Sequence, residues 1–301
     1  MKSYRVLLYY WFCDIADPSA YAAAHRAKCE ELDLRGRILI AEEGINGTCS
    51  GTTDSCDAYM RWLSSDERFA GIEFKVEEAV EHAFKKLFIR VRPEIITLGE
   101  VVREPVHRKT GIPLDPVQWR EMMNRDDVVI LDGRNDYEYN VGRFAGAICP
   151  PVESFRELPD WLRQHRRDFE GKKILTYCTG GIRCEKLTAW MLQEGFRDVY
   201  QLHGGIVRYG QDPMTQGEGF QGINVVFDDR VAVSAGEKSQ PLTVCRECGE
   251  PTTNYVNCAN VLCNDRILLC DACEIVTRRT CSEGCRAAPR LREKDQKLQR
   301  A

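Results

Sequence analysis

The sequence predicts an α/β protein with several domains, because three parts of the chain carry three different patterns. The first part alternates β-type runs with helical stretches in the order βαββαβ. The second part, from about Pro116, alternates strands with helices, which is typical of a parallel sheet covered on both faces. The third part holds eight of the 15 cysteines in close pairs. A chain of 301 residues is long enough for two or three domains with cores of their own.

The first part, which we assign to a domain at 1–92, consists of aromatic and β-branched runs separated by turn residues. Predicted strands cover 4–12, 36–41, 47–51, 72–76 and 85–91. Predicted helices cover 18–34 and 53–64, the first with Asp17 as N-cap and Pro18 at the first helical position. Asn46-Gly47 predicts a turn between the second and third strands. The first six of these elements follow the order βαββαβ, which is that of the ferredoxin-like split unit, and the strand at 85–91 completes the domain.

Basic residues of this first domain cluster near the predicted strands. They are Arg35, Arg37, Lys85, Lys86, Arg90 and Arg92. Their spacing fits a face for phosphate contacts and, equally well, an ordinary solvated surface. The formal net charge of −4 does not decide between the two, since a balanced total can contain a local basic face.

The rest of the chain divides at changes in composition. Residues 93–115 are a predicted connector, broken by prolines and glycines, whose hydrophobic pieces pack along the domains. We predict a second domain at 116–240, with a helical stretch at 155–169 and a hairpin turn at Asp228-Asp229. A cysteine-rich region is predicted at 241–285, and a charged tail at 286–301 is a frayed helix or disordered.

No stretch reaches 18 consecutive apolar residues, and the N-terminus leads into a strand instead of a signal-peptide core. We therefore expect a cytoplasmic protein without a membrane partner. In that setting, cysteines indicate metal ligands and catalytic thiols before disulfides. The cysteines expected to be structural are Cys13, Cys29, Cys49 and Cys56.

The stretch around Cys178 is the predicted reactive centre. An apolar run at 174–177 ends at this cysteine, and a helix is predicted at 185–194, which gives a strand, a tight loop and a helix. The loop residues between them are Thr179, Gly180, Gly181 and Ile182, followed by Arg183. Backbone N–H groups at such a helix N-terminus favour an anion, and Arg183 adds a fixed positive charge. Cys178 is therefore the leading nucleophile, with a buried structural cysteine as the alternative.

These residues resemble known families at two levels. The landmarks of a rhodanese domain are matched by Leu131-Asp132-Gly133-Arg134, Gly142-Arg143-Phe144-Ala145-Gly146, the Cys178 loop and His203-Gly204-Gly205. The chain from about 4 to 285 is similar to the tRNA uridine-34 hydroxylase (TrhO) family. The residues that carry this second resemblance are Arg35-Gly36-Arg37-Ile38, Gly44-Ile45-Asn46-Gly47-Thr48, 178–186 and 226–233.

The resemblance implies an activity that composition and spacing do not give. The activity is oxygen-dependent formation of 5-hydroxyuridine at the wobble position, with tRNA as partner and molecular oxygen as co-substrate. Cys178 matches the family's active cysteine, which is proposed to carry a persulfide, and Arg183 closes the same loop. Cys184 matches a further family cysteine, and at the start of the helix it is placed to resolve an oxidised Cys178 by disulfide formation or simply to pack inward. No motif for an organic cofactor is evident, and neither the route of oxygen activation nor the oligomeric state follows from the sequence.

Other functions stay open on the residues alone. The cysteine loop by itself supports a thiosulfate-type sulfurtransferase that carries a cysteine persulfide. A third reading is an RNA- or protein-binding module in which the cysteine is a redox sensor. A phosphatase ranks last, because four residues separate Cys178 from Arg183, one fewer than in the phosphatase signature, and no general acid is identifiable.

Paired cysteines in the third part predict two tetrahedral Cys₄ zinc sites with a structural role. The pairs are Cys245 with Cys248, Cys258 with Cys263, Cys270 with Cys273, and Cys281 with Cys285. A redox-active thiol cluster is the alternative, and an iron–sulfur centre fits the spacing less well. Sequential and cross-braced combinations of the pairs fit the spacing equally. We expect this region to steady the tRNA site, with Arg278 and Arg279 available for phosphates.

Overall fold

The computed structural model describes residues 3–226, 232–234, 240–263 and 265–292. The strands in these ranges are β1 (Tyr4–Phe12), β2 (Arg35–Ala41), β3 (Gly44–Thr52), β4 (Lys75–Ala79), β5 (Leu87–Val91), β6 (Ile112–Leu114), β7 (Val128–Asp132), β8 (Gly142–Phe144), β9 (Lys173–Tyr177), β10 (Val199–Leu202), β11 (Phe220–Val225), β12 (Ala232–Ser234), β13 (Tyr255–Asn257) and β14 (Arg266–Leu268). The α-helices are α1 (Pro18–Glu31), α2 (Thr53–Ser64), α3 (Pro116–Met123), α4 (Asp136–Val141), α5 (Leu158–Gln164), α6 (Ile182–Gln193), α7 (Gly205–Gln211), α8 (Asp271–Val276) and α9 (Glu283–Arg286).

The N-terminal sheet has the strand order β4-β1-β3-β2-β5. Its first four strands pair antiparallel and give the ferredoxin-like arrangement that the sequence predicts. The fifth strand, β5, adds to the edge in parallel with β2. Alternate residues of β1 face opposite sides of this sheet. Leu7 and Tyr9 pack with residues of α1 and α2, whereas Phe12 packs with Ala189 of α6 in the second domain.

The second domain is built on a parallel sheet with the order β6-β10-β9-β7. Neighbouring residues of β9 point to opposite faces. Ile174 packs with Trp190 and Met191 of α6, and Leu175 packs on the other face with Trp119 of α3. The prediction of a parallel sheet covered on both faces is confirmed. A small antiparallel sheet, β12-β11-β8, lies beside it.

Two predicted features of the N-terminal domain were wrong. Asn46-Gly47 lies inside β3, and the tight turn is at Glu42-Glu43. Gly47 is needed for a close approach, because a Cβ there would lie 2.4 Å from the Tyr9 ring. The first helix ends at Glu31, since Asp33 adopts a left-handed φ of 48°.

Three further bounds differ from prediction. The fourth strand is β4 and not 72–76, because Ile72 closes a 3-10 turn by donating its N–H to Phe69. The helical stretch predicted at 155–169 is divided between α5 and two 3-10 turns, with Pro159 in the first turn of α5. Helix α6 begins at Ile182, before the predicted start at Glu185.

The connecting residues 93–115 pack against both domains, with Ile95 and Val106 buried at their junction. Their last strand, β6, is an edge strand of the parallel sheet. The predicted domain boundaries stay predictions. The turn predicted at Asp228-Asp229 and most of the tail lie outside the described residues. In the described part of the chain, no helix has the length and apolar content to cross a membrane.

Candidate active site

Cys178 follows β9 directly and lies at the N-terminus of α6, as predicted. Its Sγ accepts a hydrogen bond from the N–H of Gly181 at 3.1 Å. Gly181 has a φ of 105°, which only glycine adopts without strain, and it forms the N-cap of α6. The loop thus turns backbone N–H groups toward the sulfur.

Backbone hydrogen bonds from the first turn of α7 hold this loop. The N–H groups of Ile206 and Val207 donate to the carbonyl oxygens of Cys178 and Thr179 at 3.0 and 3.1 Å. Gly205 permits the approach, since a Cβ there would lie 2.6 Å from both carbonyl oxygens. With its carbonyls engaged on this side, the loop is fixed in one conformation.

Cys178 and Cys184 are both buried, and their pKa values are shifted in opposite directions. Burial raises the pKa of Cys178, but the Cys184 thiol, the Arg183 guanidinium and backbone N–H groups outweigh it and lower that pKa well below the ordinary value. Burial and the neighbouring Cys178 raise the pKa of Cys184 well above its ordinary value. These opposite directions favour the thiolate at Cys178 and the protonated thiol at Cys184.

Arg183 is held by a carboxylate that the sequence analysis did not identify. Its Nη1 and Nη2 donate to the two oxygens of Glu138, each at 2.7 Å, and Nη2 donates to Thr179 Oγ1 at 3.2 Å. Burial raises the pKa of Glu138, but Arg183 outweighs it and the net shift is downward. The signal in the sequence was the spacing of Asn135 and Glu138, a capping box at the start of α4.

The N-terminal sheet covers the loop from the other side. A Cβ on Gly180 would lie 3.2 Å from the Leu8 side chain, and one on Gly181 would lie 2.7 Å from the hydroxyl of Tyr10. The Tyr10 hydroxyl donates to Glu185 of α6 at 2.8 Å. Cys178 consequently lies between two domains, with 1% of its surface exposed.

The predicted basic residues lie on or beside this same sheet. Leu8, Thr48, Arg37 and Phe88 are directly opposite one another on β1, β3, β2 and β5, so their side chains share one face. Arg90 lies two residues beyond Phe88 on that face, and its guanidinium is 5.6 Å from the Phe88 ring centroid. Arg37, Phe88 and Arg90 are exposed, and Arg35 is half-buried. Lys85 and Lys86 are exposed just before β5.

The cysteine pairs combine in a cross-braced way. The first set of four is Cys245, Cys248, Cys270 and Cys273, and the second is Cys258, Cys263, Cys281 and Cys285, with the ligand atoms of each set within 4.8 Å of one another. The sulfurs of Cys248 and Cys270 are 3.6 Å apart, and those of Cys263 and Cys281 are 3.8 Å apart. Thiolates around a tetrahedral zinc ion lie about 3.8 Å apart, since each Zn–S bond is about 2.3 Å. Both sets fit a metal ion.

The cysteine-rich region contacts the second domain beside Glu138. The guanidinium of Arg266 on β14 lies 3.9 Å from the centroid of the Tyr137 ring, and Tyr255 packs edge-on against Tyr137 at 5.9 Å. Tyr137 precedes Glu138 on α4. The region therefore supports the helix that holds Arg183. Arg278 is exposed and Arg279 half-buried, both with left-handed backbone.

Known families match the chain along most of its length. The family models are the UPF0176 acylphosphatase like domain at 4–95, the rhodanese-like domain at 115–212 and the rhodanase C-terminal model at 221–286. A protein of Bacillus thuringiensis (strain Al Hakam) named tRNA uridine(34) hydroxylase is 52% identical over 97% of this chain and 92% of its own. A Bacillus anthracis (strain A0248) protein of the same name has the same identity and coverage. An Anabaena rhodanese-like domain solved by NMR matches at a TM-score of 0.30 and 21% identity, over 45% of this chain and 93% of that domain.

Proposed function

The chain belongs to the tRNA uridine(34) hydroxylase family, and we propose that it converts uridine 34 of tRNA to 5-hydroxyuridine with Cys178 as its reactive group. The identity of 52% over 97% of the chain carries this proposal. The setting of Cys178 supports it, because a thiolate held by loop amides at a domain junction is suited to covalent chemistry on a bound substrate. We propose that the reaction takes place in the cytoplasm, where tRNA is available as the substrate.

Molecular oxygen is the proposed co-substrate. The purified protein, incubated with tRNA that lacks wobble modification, is expected to form 5-hydroxyuridine in air and not under argon. With isotopically heavy O₂, the label should appear in the new hydroxyl group. Turnover of thiosulfate without any change in tRNA would instead favour the sulfurtransferase.

Cys184 is the proposed resolving residue. We propose that one oxygen atom of O₂ enters uridine and the other oxidises Cys178 to a sulfenic acid. The Cys184 thiol then attacks the sulfenic sulfur, a disulfide forms and water leaves, and an added thiol reduces the disulfide before the next turnover. Two observations support this role: both thiols are buried, and the Cys184 side chain helps to lower the pKa of Cys178, which indicates that the two thiols are neighbours. Arg183 favours the thiolate and, through Thr179, steadies the loop.

The exposed part of the N-terminal sheet is the proposed tRNA surface. Arg37 and Arg90 supply charge for phosphates, and Phe88 supplies a flat ring on which a base can stack. Two strand spacings of about 4.8 Å separate Arg37 from Leu8, which contacts the Cys178 loop. Arg35, Lys85 and Lys86 extend the basic border of this face. A tRNA bound here would lie close enough to place one base at the domain junction.

The two cysteine sets are proposed to hold structural zinc ions. Zinc bound there supplies folding energy and no chemistry, because four protein thiolates leave no open position. The cross-brace ties together segments that have few buried apolar side chains, chiefly Ile267 and Leu269. We propose that this region keeps α4, and with it Glu138, in place beside the tRNA site.

A further inference from the structure

Lys75 of β4 lies on the face of the N-terminal sheet that covers the Cys178 loop. It is directly opposite Leu8 in the antiparallel register, so the two side chains share this face. Leu8 contacts the loop at Gly180, and Tyr10 contacts it at Gly181. The register therefore places the Lys75 side chain on the face that covers the cysteine loop.

The Lys75 side chain is mostly buried, and within the described residues its ammonium group has no partner of opposite charge. The residue is 8% exposed. Within the described residues, its ammonium makes no hydrogen bond and no ion pair, and its recorded contact is with the Tyr10 ring, whose centroid is 5.2 Å from Nζ. A buried cation is costly unless it is paired, so an unpaired one at a reactive loop indicates a missing ligand.

Neighbouring charges do not satisfy Lys75. Glu73 is nearby, but His203 and Arg208 of the second domain already bind its carboxylate at 3.0 and 2.7 Å. Glu185 accepts from Tyr10 instead. Burial lowers the pKa of Lys75 to about 8, an effect that Glu73, Cys178 and Glu185 oppose and Arg208 reinforces.

We propose that Lys75 is a binding residue of the active site and that its ammonium holds the negative charge of a sulfur or oxygen atom bound against Cys178. The anion site is then shared between two domains, with loop amides on one side and a cation on the other. The terminal sulfur of a persulfide and an oxyanion of the substrate have this chemistry in common. The proposal rests on the proposed role of Cys178, and it holds whichever substrate reacts there.

The test compares an anionic and a neutral alkylating reagent on the full-length, zinc-loaded protein. Rates of modification of Cys178 by iodoacetate and iodoacetamide are measured near neutral pH by mass spectrometry of its peptide. The variants are Lys75→Met, which removes the charge, Lys75→Arg, which keeps it, and Lys172→Met as an exposed control in the second domain.

We expect Lys75→Met to lower the ratio of the iodoacetate rate to the iodoacetamide rate about tenfold, because only the anionic reagent gains from the cation. Lys75→Arg and Lys172→Met should keep the ratio of the wild type. An unchanged ratio in Lys75→Met would overturn the proposal, as would equal changes with both reagents that Lys75→Arg does not restore. A persulfide as the bound anion would be indicated if Lys75→Met lowered the persulfide content of Cys178 after sulfur loading. An oxyanion of the substrate would be indicated if only turnover fell.

Affinity for tRNA separates the binding role from a phosphate contact. The dissociation constant of Lys75→Met for tRNA should equal that of the wild type. A weaker constant together with an unchanged alkylation ratio would make Lys75 a phosphate contact and contradict the proposal. Failure of the wild type to modify tRNA would overturn the proposed function. It would not affect the alkylation ratio, which tests the role of Lys75 separately.

Discussion

Tyr10 donates a hydrogen bond to Glu185 at 2.8 Å and so joins the N-terminal sheet to the first turn of the helix that follows the Cys178 loop. Burial raises the pKa of Glu185, and the Tyr10 hydroxyl opposes that shift. Two domains therefore share the reactive centre, and each can be changed separately by mutation.

Tyr10→Phe leaves the Glu185 carboxylate without this donor at a partly buried position. We expect a loss of about 1–3 kcal/mol in the free energy of unfolding, measured by urea denaturation, and a lower rate of tRNA modification. Tyr4→Phe on the same strand is the matched control, since the Tyr4 hydroxyl makes no hydrogen bond within the described residues. Equal free energies of unfolding for Tyr10→Phe and Tyr4→Phe would mean that the hydrogen bond from Tyr10 to Glu185 does not stabilise the fold.

The lowered pKa of Cys178 predicts how its reactivity changes with pH. Because its thiolate is already formed at neutral pH, the iodoacetamide rate at Cys178 should stay nearly constant between pH 7 and 9. Cys13 is an internal control, because burial raises its pKa to about 11 and its rate should still climb in this range. A steep rise at Cys178 would show an ordinary thiol and remove the basis for its activation.

Breaking the buried pair between Glu138 and Arg183 should destabilise the fold strongly. Glu138→Gln leaves a buried guanidinium without its carboxylate, for which we expect a cost of about 3–5 kcal/mol in the free energy of unfolding. Adding Arg183→Met should recover part of this loss. Glu31→Gln, which breaks an exposed pair with Lys28, should change little. If Glu138→Gln and Glu31→Gln changed the free energy of unfolding by similar amounts, the buried pair of Glu138 and Arg183 would not have this stabilising role.

The cross-brace makes a prediction about zinc stoichiometry. Cys248 and Cys270 belong to different sequence pairs but to the same set of four. Cys248→Ser and Cys270→Ser should therefore each empty the same zinc site, and the double variant should still keep the second zinc ion. Elemental analysis should therefore give about one zinc per chain for either variant and for the double variant, against about two for the wild type. Cys13→Ser should keep both ions. A loss of both ions in the double variant would indicate sequential pairing.

Charge reversal on the exposed sheet face should weaken tRNA binding. Arg37→Glu and Arg90→Glu are expected to raise the dissociation constant and to reduce the slope of its dependence on salt by roughly one per contact. Arg61→Glu, an exposed position on α2, is the control. Should all three variants bind alike at every salt concentration, the tRNA surface lies elsewhere.

The sequence predicted the elements that depend on local signals. The Cys178 loop follows from an apolar run, two glycines and a helical stretch, and the cysteine pairs follow from their spacing. The Asn46-Gly47 prediction was wrong because packing against Tyr9, and not a turn, requires the glycine.

The partners of the reactive loop needed the tertiary structure. Glu138 is 45 residues from Arg183, and Tyr10 is 175 residues from Glu185. No periodicity or motif connects positions so far apart. The choice of cross-braced cysteine pairs likewise depends on chain path and not on spacing.

The most direct test of the account is mass spectrometry of nucleosides from tRNA of cells that lack this protein, complemented with the wild type or with Cys178→Ala. If Cys178 carries out the reaction, wobble nucleosides derived from 5-hydroxyuridine should disappear in the deletion and return only with the wild type, while the variant still binds tRNA. An unchanged nucleoside profile in the deletion, or full restoration by Cys178→Ala, would contradict it.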